Sequence, residues 1–93
     1  MILYELTRTT QFKRDLKRIT KRNYDLSKLE KFLLQLVSGQ ALPEKYKVHP
    51  LSNNFKGYFD CHIEPDWIIL YKKDETNKLI TLVRTGTHSD IFG

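Results

Sequence analysis

Histidine, aspartate and arginine side chains with the chemistry of an active site occur together over residues 62–88 of the chain. Two of its 3 histidines, His62 and His88, lie there together with Asp66 and Arg84. Histidine gains and loses a proton near neutral pH, and a carboxylate can act as a base, so this set is suited to acid–base chemistry. Arginine binds phosphate through two parallel hydrogen bonds, which points to a phosphate-containing substrate.

Cleavage of RNA by its own 2′-hydroxyl requires such a set. A base takes the proton of that hydroxyl, an acid protonates the leaving 5′ oxygen, and cations neutralise the charge that grows on the phosphate. Aromatic residues such as Trp67 and Phe92 would hold unpaired bases by stacking. Each residue also has an ordinary alternative role, because Trp67 and Phe92 can be core aromatics and Asp66 can cap the turn after Pro65.

Histidines with nearby acids are also typical of metal sites. The chain lacks the compact His-x-x-x-His spacing, and strand alternation places Cys61 on the opposite face from His62. We therefore expect neither a metal nor another cofactor. Cys61 is the only cysteine, and we expect it to be buried as a small hydrophobic residue.

The charge is unevenly distributed along the chain. There are 16 Lys+Arg against 11 Asp+Glu, a net of +5. Residues 1–50 hold eleven basic and five acidic residues (+6), and residues 51–93 hold five and six (−1). This asymmetry is consistent with a polyanion that is attracted by one part and processed by another, and equally with a basic soluble surface.

The first half of the chain predicts a strand and a helical hairpin. Residues 2–8 alternate as in a strand, and Thr9 or Thr10 then caps a helix whose apolar face carries Phe12 and Ile19. The other face is basic: Lys13, Arg14, Lys17, Arg18, Lys21 and Arg22. A second helix follows from Leu26 to Val37, ends at Gly39 and should pack antiparallel to the first. Residues 40–50 are predicted to be a loop that carries His49.

The second half predicts three strands. Residues 55–64 alternate between apolar and polar positions, 67–73 form a more apolar strand, 78–85 form a third, and 87–93 are a tail after Gly86. The polar face of the first of these strands should line a cleft: Lys56, Tyr58, Asp60, His62 and Glu64. The predicted fold is α+β, a single domain over residues 1–93 with the order β-α-α-β-β-β, a mainly antiparallel sheet and both helices on one face.

This order predicts where the reactive side chains meet. A tight hairpin brings His62, Asp66 and Trp67 together. Arg84 and His88 lie at the end of the last strand and approach the same edge, while His49 closes over it from its loop.

The chain has no apolar run near the roughly 20 residues of a membrane span, and its first residues do not resemble a signal peptide. We expect a soluble protein with no membrane partner. A single cysteine suits the reducing cytoplasm.

Several motifs closely resemble the YafQ family of bacterial type II toxins, which belongs to the RelE/ParE superfamily. They are Lys47-Val48-His49-Pro50-Leu51, Lys56-Gly57-Tyr58, Asp60 to Tyr71, and Arg84-Thr85-Gly86-Thr87-His88 with terminal Phe92-Gly93. The likeness runs nearly end to end. Its most specific part combines His-x-Glu-Pro-Asp-Trp with Arg-Thr-Gly-Thr-His.

The resemblance implies a RelE-like fold and a ribosome-dependent endonuclease that cuts mRNA in the A site. It also implies inhibition by a DinJ-like antitoxin in a hetero-oligomeric complex. The implied active site comprises His49, His62, Asp66 and His88, with Arg84, Trp67 and Phe92 in support. Our hypothesis makes His88 the general acid and Asp66 or His49 the base, while His62 and Arg84 orient and neutralise the phosphate.

Two other functions remain open. A ParE-like inhibitor of gyrase would share the fold without needing the histidines, and a non-catalytic module would only bind an antitoxin and repress transcription. In the nuclease interpretation, Lys56 and Asp60 contact RNA, and Arg14, Lys17 and Arg18 of the basic helix dock on ribosomal RNA through phosphates. The same helix could instead face an acidic antitoxin.

Overall fold

The computed structural model describes residues 2–51 and 57–93. Its elements are, in chain order, strand β1 (Glu5–Arg8), helices α1 (Thr10–Lys21) and α2 (Leu26–Val37), a short 3₁₀ helix (Glu44–Tyr46), strands β2 (His49–Pro50), β3 (Tyr58–Glu64), β4 (Trp67–Asp74) and β5 (Leu79–Gly86), and helix α3 (His88–Phe92). No helix in these two stretches has the length and apolar character needed to cross a bilayer.

The strands form one sheet in the spatial order β1-β5-β4-β3-β2. Neighbours from β2 to β5 are antiparallel, whereas β1 runs parallel to β5 with Leu6 opposite Ile80. A parallel pair needs a long connection, and the chain between β1 and β5 includes both long helices and the rest of the sheet. The predicted α+β fold with a mainly antiparallel sheet is confirmed.

The two long helices begin where the sequence predicted. The Thr9 hydroxyl accepts a hydrogen bond from the Phe12 amide at 2.9 Å, and the Asp25 carboxylate accepts one from the Ser27 amide at 3.1 Å. These caps satisfy amides that have no partner within a helix. After α2, Gly39 adopts a positive φ of 74°, and a Cβ there would lie 2.6 Å from Leu3 Cδ2, so only glycine fits without displacing Leu3.

Helices α1 and α2 and alternate residues of the central strands all contribute side chains to one hydrophobic core. The core includes one apolar residue of β3, Cys61, and the following side chains of α1, α2, β4 and β5: Phe12, Ile19, Leu29, Phe32, Leu36, Trp67, Ile69, Tyr71, Ile80 and Leu82. Cys61 is fully buried, its thiol donates to the Ile69 carbonyl, and burial raises its thiol pKa far above the usual value. The expectation that Cys61 is a small core residue is confirmed.

Three segments differ from the sequence prediction. Strand β1 begins at Glu5, because the amides of Leu3 and Tyr4 bond to the Val37 carbonyl at the end of α2. The predicted loop over residues 40–50 contains the 3₁₀ helix and strand β2, and the predicted tail over residues 87–93 contains α3. Residues 55 and 56 of the strand predicted over residues 55–64 lie outside the described residues.

Candidate active site

The three histidines lie together at one end of the sheet. His49 is on the edge strand β2, His62 is near the end of β3, and His88 is the first residue of α3. The His62 ring centre is 5.5 Å from that of His88 and 6.5 Å from that of His49. The predicted meeting of the three is therefore observed, although His49 is held by strand pairing with Asp60 and not by a loop.

In each histidine, Nδ1 is bonded to an oxygen acceptor. The acceptors are the Lys47 carbonyl at 2.7 Å for His49, the Pro65 carbonyl at 3.1 Å for His62 and Asp66 Oδ1 at 2.8 Å for His88. A carbonyl or carboxylate oxygen can only accept a hydrogen bond, so Nδ1 carries the hydrogen in all three rings. The Nε2 atoms of His62 and His88 remain available to other groups, where a neutral ring presents a lone pair and a protonated ring presents a hydrogen. His49 Nε2 instead faces Asp60 Oδ1 at 2.8 Å.

Asp66 fixes the position of His88 through two hydrogen bonds. Its Oδ1 accepts from the His88 backbone amide at 3.0 Å and from the ring at 2.8 Å. Both bonds hold the pKa of Asp66 below its usual value, and the bond from the amide contributes more than the bond from the ring. Asp66 is therefore a carboxylate at neutral pH and orients the ring of His88.

Asp60 provides a second carboxylate beside His49. Its Oδ1 lies 2.8 Å from His49 Nε2, at ion-pair distance, and the residue is only 8% exposed. The contact lacks hydrogen-bond geometry, and Oδ1 is a buried atom with no hydrogen-bond partner among residues 2–51 and 57–93. A buried carboxylate oxygen is costly without a partner, so a positive charge on His49 or a substrate hydroxyl would stabilise it.

The two aromatic candidates occupy different environments. Phe92 is 56% exposed, and its ring centre is 6.4 Å from that of His88, so its face is accessible beside the histidines. Trp67 is 1% exposed, its indole donates to the Thr85 hydroxyl at 2.9 Å, and Tyr24 packs edge-on against it. The prediction that Trp67 stacks on an RNA base does not fit this burial, and Trp67 is a core aromatic in this conformation.

Arg84 is bound to an aspartate that the sequence analysis overlooked. Its Nε donates to Asp15 Oδ2 at 2.7 Å, and its Nη2 donates to Asp15 Oδ1 at 3.2 Å and to the Asp90 carbonyl at 3.1 Å. Asp15 is fully buried. Burial alone would raise its pKa, but hydrogen bonds from Arg84, Gln11 and the Thr85 amide outweigh that effect and hold the pKa below its usual value. These three bonds use Nε and Nη2 of Arg84 and do not involve Nη1.

Asp90 attaches helix α3 to the body of the protein. Its side chain and that of Thr87 exchange hydrogen bonds with each other's backbone amides, which is a capping box. Arg22 donates to both Asp90 oxygens at 2.7 and 3.2 Å. The Arg22 guanidinium and the Thr87 amide hold the pKa of Asp90 well below its usual range. The sequence signal for α3 was this Thr-x-x-Asp spacing after Gly86.

The predicted basic face of α1 divides into two parts. Arg14 and Lys17 are exposed. Arg18 lies 3.5 Å from Asp15 and 3.6 Å from Asp90, so it contributes to the attachment of α3. Lys56, the remaining candidate for RNA contact, lies outside the described residues.

The protonatable groups do not form a preassembled metal site. Within residues 2–51 and 57–93, no group of three or more histidine, cysteine, aspartate or glutamate side chains is arranged to hold a metal ion. The three rings converge on a shared space from different elements, with each Nδ1 already bonded. The arrangement is suited to proton transfer to and from a molecule that lies between the rings.

Comparison with known proteins places this site in a family. A model of the bacterial toxin YafQ of type II toxin–antitoxin systems matches residues 4–93. The mRNA interferase toxin YafQ of Escherichia coli (strain B / BL21-DE3) is 44% identical over 94 residues, covering 100% of both chains.

Solved structures agree with this match. The chain superposes on one chain of the crystal structure of the E. coli DinJ–YafQ complex with a TM-score of 0.90 and 42% identity. The match covers 97% of this chain and 99% of the chain in the complex. A metal-bound toxin from Helicobacter pylori gives a TM-score of 0.89 and 35% identity, covering 99% and 100% of the two chains. This chain therefore belongs to the YafQ family of toxins of bacterial type II toxin–antitoxin systems.

Proposed function

We propose that this toxin is an endoribonuclease that cuts mRNA on the ribosome, in the A site, by attack of the 2′-hydroxyl. The observation that carries the proposal is the convergence of three histidines whose Nδ1 atoms are all fixed by oxygen acceptors. The E. coli relative that is named an mRNA interferase supports it at 44% identity.

In the proposed reaction, the 2′-oxygen forms a bond to phosphorus while the bond from phosphorus to the 5′ oxygen breaks. A base accepts the proton of the 2′-hydroxyl, and His88 gives a proton to the leaving oxygen. His62 and Arg84 Nη1 orient and neutralise the phosphate. Phe92, exposed beside His88, holds a neighbouring base by stacking.

His49 is the stronger of the two candidates for the base. Asp66 Oδ1 already accepts two hydrogen bonds from His88, and its lowered pKa makes it a weak base. His49 Nε2 lies 2.8 Å from the buried carboxylate of Asp60, so the 2′-hydroxyl must enter between these two groups to give its proton to Nε2. The carboxylate of Asp60 would then stabilise the imidazolium that forms. We therefore assign proton abstraction to His49 and the orientation of His88 to Asp66.

The decisive experiment is to induce the chain in bacterial cells and map new RNA 5′ ends, with His88→Ala as the control. We expect new 5′ ends within translated codons in cells that express the wild type and none in cells that express His88→Ala. Intact transcripts together with defects in DNA supercoiling would favour a gyrase inhibitor. Absence of any growth effect would favour a non-catalytic module.

We also propose that the reaction needs no metal ion, because His49 and His88 supply both proton transfers. A chelator of transition metals, added while Mg²⁺ is kept for the ribosome, is expected to leave the cleavage rate unchanged. Added Cu²⁺ or Zn²⁺ should inhibit or have no effect. A rate that falls with the chelator and returns with one metal would refute metal independence.

The exposed basic part of α1 is proposed to dock on ribosomal RNA. Reversing Arg14 and Lys17 to glutamate should weaken ribosome binding and reduce its dependence on salt, because phosphate contacts release counterions. The matched control reverses Lys72 and Lys78, which lie on the β4–β5 hairpin. Equal affinities for the two variants would exclude this docking surface.

The proposed inhibitor is a DinJ-like antitoxin that forms a hetero-oligomeric complex with the chain in the cytoplasm. The support is the similarity to the E. coli YafQ that was solved together with DinJ. Co-expression with a DinJ-like antitoxin should restore growth and yield a stable complex on gel filtration. Growth arrest that persists despite normal antitoxin levels would contradict the pairing.

A further inference from the structure

A basic cavity opens beside the histidine cluster. It has a volume of about 690 Å³ and lies between α2, the 3₁₀ helix and the end of β3. Its charged wall consists of four lysines and one acid: Lys28, Lys31, Lys45, Lys47 and Glu64. No part of the proposed proton transfers uses these lysines.

The positive charge of the cavity is only partly neutralised. Lys28 Nζ lies 3.5 Å from Glu64 Oε2, and both side chains are about half exposed, so the pair is weak. Lys45 Nζ lies 5.2 Å from the ring centre of Tyr46. Lys31 and Lys47 are exposed and have no ion-pair partner among residues 2–51 and 57–93. Their two ammonium groups are therefore available to an anion.

His62 joins this cavity to the site of chemistry. It lines the cavity, and its ring is 5.5 Å from that of His88. An anionic chain that passes between the histidines therefore meets the lysines next. The volume falls within the roughly 300–1,000 Å³ of pockets that hold small ligands, which leaves room for at least one nucleotide.

We propose that this cavity binds the sugar–phosphate backbone of the RNA strand on one side of the scissile phosphate. The inference rests on the proposed endoribonuclease activity and adds a second binding subsite to it. Ammonium groups on flexible stems contact phosphates without reading bases, so this subsite gives affinity and direction to the strand and little sequence preference.

The test uses the full chain and a single-stranded RNA whose 2′-hydroxyls are methylated to block cleavage. Binding is measured by fluorescence anisotropy over a range of salt concentrations. The Lys31→Gln/Lys47→Gln variant should bind more weakly, and its slope of log affinity against log salt should be shallower by about 1.4, because each neutralised phosphate of a single strand contributes about 0.7. The charge-matched control, Lys73→Gln/Lys78→Gln, lies at the opposite end of the β4–β5 hairpin and should keep the wild-type slope.

Parallel assays on mRNA-programmed ribosomes separate this proposal from the function itself. A wild type that cuts mRNA, combined with equal slopes for both double variants, would overturn the cavity subsite alone. So would a wild type that cuts mRNA yet binds no free RNA, or a cavity variant that loses only its inhibition by the antitoxin. A wild type that neither binds nor cuts RNA would overturn the nuclease function and the subsite together.

Discussion

Replacing Arg84 by leucine should lower the free energy of unfolding by about 3 kcal/mol. The change leaves the carboxylate of Asp15 buried without the partner that donates two of its hydrogen bonds. Breaking a buried ion pair costs roughly 3–5 kcal/mol, and the lower end applies because Arg84 is 23% exposed, so water can reach the vacated position. Urea unfolding monitored by circular dichroism measures the difference.

The control is the double variant Asp15→Leu/Arg84→Leu. Removing both charges removes the unpaired carboxylate, so the double variant should be more stable than Arg84→Leu alone. If the double variant is less stable than the wild type by the sum of the losses of the two single variants, the two residues are not coupled.

The decrease in the free energy of unfolding caused by Arg84→Leu should depend on pH, because the pKa of Asp15 is lowered in the folded protein. A carboxylate whose pKa is depressed on folding stabilises the protein above its unfolded pKa of about 3.8, and this contribution disappears as the pH falls through the folded pKa. The difference between wild type and Arg84→Leu should therefore be largest near neutral pH and shrink below pH ~4. A difference that grows with acidification would contradict the assignment.

Replacing His88 by alanine should reduce the rate of mRNA cleavage about 10²- to 10⁴-fold, which is the usual contribution of a general acid. The fold should be unaffected, because the His88 side chain is 55% exposed and helix α3 is held by Asp90. The measurement is single-turnover cleavage of mRNA on programmed ribosomes, with Ser89→Ala as the neighbouring control. A His88→Ala rate within a few-fold of wild type would transfer the acid role to His49 or His62.

The sequence was sufficient to predict the order of the elements where local rules dominate. The caps at Thr9 and Asp25, the apolar stripe of α2 and the alternation in β3 each depend on residues within one or two turns of each other. Three short elements were missed, the 3₁₀ helix Glu44–Tyr46, β2 and α3. Strand β2 spans only His49–Pro50 and exists because β3 is beside it, and α3 has no buried residues whose spacing would reveal it.

Side-chain roles that depend on distant partners could not be predicted. Asp15 was not among the candidate residues, because its partners Arg84 and Thr85 are on β5, almost seventy positions later. Arg84 was assigned only to phosphate, because a guanidinium bonds to carboxylate and phosphate with the same geometry. Trp67 was placed near His62 correctly, but its neighbours in the core and not its side-chain type decide whether a base can reach it.

Helix α3 has a mechanical consequence for the site. It carries His88 but buries no side chain. It is attached by its cap hydrogen bonds, by the ion pairs of Asp90 with Arg22 and Arg18, and by hydrogen bonds from His88 to Asp66 and from Arg84 to the Asp90 carbonyl. Such an element can detach from the sheet at a free energy well below that of global unfolding, and salt weakens its attachment while the core stays intact. His88, the proposed proton donor, thus lies on a segment with no buried side chain, and local opening would switch off the proposed chemistry without melting the protein.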